Sequence, residues 1–253
     1  MTFWEHLGEL RTRLFRMIAY VVLTATAGWY TYPFVNHILI EPSLALFRQY
    51  HIQMVFLHFT QPFFLRFQVA IITGVVYALP LISGEMWGFV RPALLPHERK
   101  WVYFVAPLSI AFFALGVTAG YLVMNPAIHW FLGYLPHDET VMQNAVDFIV
   151  FECKCILAFG VVFQLPVVLM FLAMVGIVRS EMLKKSWRHA VCILTVVAAV
   201  VTPSNDPVTM LAMAIPLVLL YMLSIFLVGI TEKMCGRTKS PKDYGDSESM
   251  RSG

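Results

Sequence analysis

The chain has 253 residues, 59% of them hydrophobic and only 13% charged, with a mean hydropathy of +0.72. Soluble domains carry roughly 25% charge, so this balance excludes a soluble protein with a large core and leaves a polytopic membrane protein. The net charge of +3 is small and its Lys and Arg residues are not gathered on one polar domain, which argues against nucleic acid as a partner.

The first predicted element is a short amphipathic helix on a membrane surface. Phe3, Leu7, Leu10 and Leu14 recur at helical spacing and form one apolar face. Thr2 and Glu5 have capping-box spacing, and Trp4 suits the headgroup zone. Glu9 precedes Arg13 by four residues, on one helix ridge. Two readings of Glu9 stand: a surface pair with Arg13, or a carboxylate kept for a ligand. Another carboxylate, Glu98, expected on the same side of the membrane, favours the second.

A helix needs about 20 apolar residues to cross about 30 Å of hydrocarbon, and six stretches qualify as candidates. They are Leu14–Tyr32, ended by Pro33; Phe63–Met86, bent near Pro80 and Gly84; Trp101–Met124; Asp147–Ile177; the short Ala190–Thr202; and Val208–Ile230, with Pro216 inside. Between the first two, Phe34–Pro62 is too interrupted to span and is predicted as a folded cap outside the membrane. In the third, Gly116 and Gly120 form a G-x-x-x-G that seats a neighbouring helix, either from the same chain or from a second copy. Asn125–Asn144 is predicted as an outer loop. The fourth stretch is too long to stand upright and holds Glu152, Lys154, Gln164 and Pro166. Trp187 to Thr202 covers only about 24 Å at 1.5 Å per residue. The hairpin of spans five and six therefore either thins the bilayer locally or turns within the headgroups, at Thr202–Pro207, which includes Asp206.

The expected fold is thus all-α. Residues 1–232 form one six-span membrane domain behind an interfacial N-terminal helix, and 233–253 form a polar, disordered tail. Fifteen of the 18 Lys and Arg residues fall at the N-terminus, in the connectors Gly88–Lys100 and Val178–His189, and in the tail. The positive-inside rule then places both termini in the cytoplasm. The first apolar run continues into a full span, so it is expected to stay in the membrane rather than be cleaved. No transit-peptide pattern is read, so a bacterial inner membrane is expected, with a processed or organelle-encoded chain as the alternative.

Little in the chain suggests covalent chemistry. Cys153, Cys155 and Cys192 lie in apolar runs and read as packing rather than metal or disulfide; no cofactor or metal is expected. Ser109 and Ser224 lie in spans, but no His lies mid-span to act as base and no G-x-S-x-G occurs, against an intramembrane hydrolase. A small secondary transporter is the alternative. Few charges in the spans, and no pair of Gly/Pro-broken helices in matching halves, argue against it.

Four stretches carry a resemblance. They are Glu5-His6-Leu7-x-Glu9-Leu10-Arg11-x-Arg13; Phe89-Val90-x-Pro92-Ala93-Leu94-x-x-His97-Glu98-Arg99; Ala158-Phe159-Gly160 leading to Pro166; and Thr202-Pro203 to Asp206-Pro207, followed by Ala214-Ile215-Pro216. In this order, over nearly all of Thr2–Val228, the chain resembles TatC, the multi-spanning subunit of the twin-arginine protein translocase. The resemblance implies a receptor and scaffold, not an enzyme. Such a protein binds, at the cytoplasmic face, signal peptides of folded precursors that carry two adjacent arginines. It assembles single-span TatA- and TatB-type subunits for export driven by the proton gradient; self-association is left open.

The resemblance further assigns recognition to Glu9 and Glu98, with Phe89 lining the peptide groove and His97 beside it in the motif. A carboxylate suits a guanidinium because it accepts the planar fork of donors, which Lys cannot reproduce. Each such pair is worth on the order of 1–3 kcal/mol. Arg11, Arg13, Arg99 and Lys100 then orient the carboxylates or touch lipid phosphate; for Arg11 and Arg13 the alternative is that they only set topology. Two positions depart from the family. Gln164 stands where relatives often have Glu, so it carries no charge and costs less to bury. Met222 stands where relatives often have a Glu associated with docking partner helices. Glu152 and Lys154, two apart, do not face each other; each is expected in a polar concavity or snorkelling to the outer surface.

Overall fold

The computed structural model describes residues 3–91, 99–134, 141–201 and 207–234. Its first element is one helix, α1 (Phe3–Gln49), of 47 residues and roughly 70 Å at 1.5 Å per residue. The interfacial helix and the first predicted span are therefore continuous, Pro33 does not end them, and 34–49 is not a separate cap. The reason lies in neighbouring helices. A proline inside a helix lacks the N–H that would bond the carbonyl four residues earlier. Pro33 thus frees the Trp29 carbonyl and Pro42 that of Ile38. Arg66 donates to the first, Nη2 to O 3.2 Å, and the Tyr121 hydroxyl to the second at 3.1 Å. With both acceptors satisfied, the helix continues through both prolines. The hydroxyls of Thr24, Thr26 and Thr31 bond back to carbonyls of their own helix, which lets polar residues lie in an apolar stretch.

α1 stops at a left-handed residue, His51 (φ 53°), with the Ile52 N–H on the Phe47 carbonyl at 2.9 Å. A short strand follows, β1 (Gln53–Val55), parallel to β2 (Met142–Asn144) with Gln53 opposite Met142. Among the described residues the fold is accordingly nearly all-helical, with this one tie between two connectors. α2 (Gln61–Val90) and α3 (Arg99–Leu132) come next. α3 runs on through Asn125 and Pro126, which the sequence suggested as the start of a loop.

The over-long fourth stretch is two helices. α4 (Ala145–Val162) is capped by the Asn144 side chain, which accepts from the Val146 N–H at 3.1 Å. α5 (Gln164–Val175) starts afresh with Pro166 in its first turn, where no intrahelical N–H is needed. α6 (Ser180–Lys185) lies in the basic connector, where Ser180 N–H and hydroxyl both donate to Glu232. α7 (Trp187–Val201) spans about 22 Å by its 15 residues, and α8 is Pro207–Met234. The predicted turn with Asp206, His137-Asp138-Glu139 of the outer loop, and the tail from 235 lie outside the described residues.

Close helix contacts use glycine. A Cβ at Gly74 would stand 2.5 Å from Ala25 Cα, so α2 lies directly on the α1 backbone, and Gly28 meets Ala70 in the same way. Gly116 and Gly120 pack on α4 and the residue after it; a Cβ on Gly116 would stand 2.7 Å from that of Phe163. The G-x-x-x-G thus serves packing within the chain. One buried cluster includes Leu39, Phe47, Leu65, Val69 and Ile149, and a second joins Phe159, Leu194 and Leu217. Elsewhere Phe63, Phe67, Leu219 and Phe226 point outward, as a lipid-facing surface requires. Among the described residues four helical stretches are long and apolar enough to cross a membrane: 61–90, 103–132, 145–175 and 214–233. α7 is shorter, and the middle of α1 is diluted by threonines and by Trp and Tyr rings.

Candidate functional site

The glycine contacts of α1 with α2 run the helices in opposite directions, so the start of α1 lies beside the end of α2. Glu9 and Arg13 are one helical turn apart on α1, and Glu85 and Gly88 lie one turn apart on α2. Gly88 makes room for the arginine: a Cβ there would sit 2.6 Å from Arg13 Nη1.

Arg13 is shared between two carboxylates. Its Nε and Nη2 donate to Glu9 Oε1 at 2.9 and 2.7 Å. Its Nη1 donates to Glu85 Oε2 at 2.7 Å and to the Glu85 carbonyl at 3.3 Å. Behind Glu85, the Tyr20 hydroxyl donates to Oε1 at 3.3 Å and the exposed Arg16 lies 3.8 Å from the same oxygen. The side chains of Arg13, Glu9 and Glu85 are 20%, 23% and 13% exposed, so the cluster is half-dry and its ion pairs are less screened than surface ones. Burial works against the charge on Arg13, but the hydrogen bonds and charges of Glu9 and Glu85 outweigh it and raise the guanidinium pKa above its ordinary value. The geometry is that of a guanidinium receptor, filled by the chain's own arginine.

Of the sequence-predicted residues, the structure brings Glu9 and Arg13 together. Phe89 follows Gly88 and is partly buried. Arg11 is turned aside, exposed, with its guanidinium 5.7 Å from the Phe15 ring. His97 and Glu98 lie outside the described residues, as does the side chain of Arg99, which opens α3. Sequence reasoning passed over Glu85. The available signal was a carboxylate inside a predicted span, which by itself marks a functional candidate.

Deeper in the helices, Gln164 Nε2 donates to the Ser109 carbonyl at 3.0 Å, and the Ser109 hydroxyl accepts from Trp87 Nε1 at 3.0 Å. The Gln164 amide thus ties α5 to α3 with a donor that an ionised Glu lacks. The Ser224 hydroxyl bonds back to Leu220. Glu152 and Lys154 do point apart, but Glu152 is 2% exposed, which corrects the expectation that it reaches a concavity or the outer surface; Lys154 is exposed. Met222 is exposed on α8.

The family model for TatC, Sec-independent protein translocase protein, matches residues 5–216. The Sec-independent protein translocase protein TatC of Desulforapulum autotrophicum is 38% identical over 88% of this chain and 82% of its own length. That of Aquifex aeolicus is 33% identical over 90% of this chain and 94% of its own. Two crystal structures of the twin arginine translocase receptor TatC superpose with TM-scores of 0.79 and 0.81, at 30% and 32% identity, covering 89% and 88% of this chain and 99% and 98% of theirs.

Proposed function

The chain belongs to the TatC family of Sec-independent protein translocase proteins, and from that premise we propose that Glu9 and Glu98 bind the adjacent arginines of export signal peptides. The protein is a translocase component of the twin-arginine system. The observation that carries the recognition site is the internal guanidinium: Glu9 already holds Arg13 at 2.7 Å in a half-dry setting, so its position suits the group the substrate would bring. Glu98 supplies the second carboxylate, Phe89 the groove wall, and Arg11 and Arg99 the flanking charge, with His97 next to Glu98 in the binding motif.

Residues 1–232 form six spans in this reading, with both termini and the tail 233–253 in the cytoplasm of a bacterium and the chain in its inner membrane. The distribution of Lys and Arg supports that orientation, and α1, α7 and the four long apolar stretches supply the spans. The protein acts as a receptor and scaffold without chemistry of its own, joined by TatA- and TatB-type single-span subunits.

The test is binding of a labelled twin-arginine peptide to the purified chain. Glu9→Gln and Glu98→Gln should each weaken binding about tenfold or more, with normal expression. Equal binding of Arg-Arg and Lys-Lys peptides, or unchanged affinity in both variants, would sink the reading.

A further inference from the structure

The recognition reading gives Glu85 no role. Glu85 is the more buried of the two carboxylates on Arg13, and it comes from a different helix. Around it stand Tyr20 and Arg16, and the Gly88 backbone gives Arg13 its seat. Arg13 is therefore one cation divided between two anions, with an anchor on the Glu85 side.

We propose that Glu85 is a positioning residue that keeps Arg13 when a ligand guanidinium takes Glu9. The inference rests on the reading of Glu9 given above and names how that site is vacated. At rest Arg13 occupies Glu9 Oε1 with two of its donors and Glu85 with the third. An arriving arginine competes with Arg13 for Glu9. Were Glu9 its sole counter-ion, Arg13 would be left half-buried and unpaired, a costly state. With Glu85 present it keeps a 2.7 Å ion pair and the carbonyl bond at 3.3 Å, and rotates away from Glu9 without leaving its seat. Once the ligand is in, Glu9 faces the incoming guanidinium and Glu85 keeps Arg13, with Arg16 still 3.8 Å from its other oxygen. Arg13 is thus an internal stand-in that keeps the half-dry Glu9 charge compensated between substrates, and Glu85 makes it displaceable.

The experiment titrates an Arg-Arg peptide and a Lys-Lys peptide against the full chain in detergent, for the wild type, Glu85→Gln, Arg13→Gln, the double variant and Glu9→Gln. Glu85→Gln should weaken Arg-Arg binding roughly tenfold, because Arg13 then clings to Glu9. Arg13→Gln should tighten it, by about threefold, by removing the competitor. The double variant should bind like Arg13→Gln alone, since without Arg13 there is nothing for Glu85 to hold. Unchanged affinity in Glu85→Gln overturns the proposal. So does a weakened Glu85→Gln that Arg13→Gln does not rescue, which would make Glu85 a direct peptide contact or a purely structural group. Should Glu85→Gln fail to fold, the Arg13→Gln arm decides: weaker rather than tighter binding rejects the exchange. Failure of the underlying reading looks different, because there Glu9→Gln binds as well as the wild type.

Discussion

Two arginines in the α1–α2 pair are both half-buried, and they are held by opposite means. Arg13 lies between carboxylates. Arg66 lies among neutral groups: its guanidinium carbon is 4.5 Å from the Trp29 ring and 5.5 Å from that of Tyr32, and Nη2 bonds the Trp29 carbonyl. Along α2, Glu85 and Arg66 are separated by about 28 Å at 1.5 Å per residue, close to one hydrocarbon thickness. The difference teaches what each can do. A guanidinium held by charge can be exchanged for another guanidinium, because the incoming group satisfies the same acceptor. One held by two rings and a proline-freed carbonyl has no competitor in a peptide, so it is a fixed staple. The first suits a site and the second suits a scaffold.

That contrast breaks most directly at Arg66. Arg66→Leu removes the carbonyl bond and both ring contacts, leaving the Trp29 acceptor unpaired inside the bundle. The expected loss is about 2–3 kcal/mol, read as a melting temperature lower by roughly 5–10 °C in detergent. Arg66→Lys keeps the charge but not the planar stacking, and should fall about midway. Wild-type stability in the leucine variant would show that α1 needs no outside donor at Pro33.

Arg13→Gln is the matching change at the other end, and its effect on stability should be smaller, within about 1 kcal/mol. Glu9 and Glu85 keep 23% and 13% of their side-chain surface and regain water when the arginine goes. Arg16 and Tyr20 also stay beside Glu85. A loss as large as that of Arg66→Leu, measured in the same melting experiment, would make Arg13 a staple too and erase the distinction.

The two arginines also mark where the sequence was readable. Helix existence followed from apolar runs, and the Glu9–Arg13 pair followed from spacing on one helix. Glu85 was hidden because its meeting with Arg13 depends on the α1–α2 register, which is set by close contacts at Gly28 and Gly74 that no local pattern reports. Pro33 misled for a related reason. Read locally, a proline ends a helix. Here the donor that excuses Pro33, Arg66, is 37 residues along the chain from the carbonyl it bonds, and Tyr121, which does the same for Pro42, is 83. Pro166 was visible, but its consequence, a break at Phe163 that turns one long stretch into α4 and α5, needed the packing of α5 on α8 as well as the proline.

The smallest effect isolates that logic best. Tyr121→Phe deletes one hydroxyl, the donor to the Ile38 carbonyl at 3.1 Å, and should cost about 1 kcal/mol. Alone, such a loss has many explanations, including altered packing of the ring. Pro42 separates them. Pro42→Ala gives residue 42 back its N–H, which then bonds Ile38 within the helix. In that background the tyrosine hydroxyl has nothing left to rescue. The penalty for Tyr121→Phe should shrink to a few tenths of a kcal/mol, a coupling that a double-mutant cycle in thermal melts can read. Additive penalties would mean that the hydroxyl works elsewhere. They would also mean that α1 passes Pro42 without help from α3.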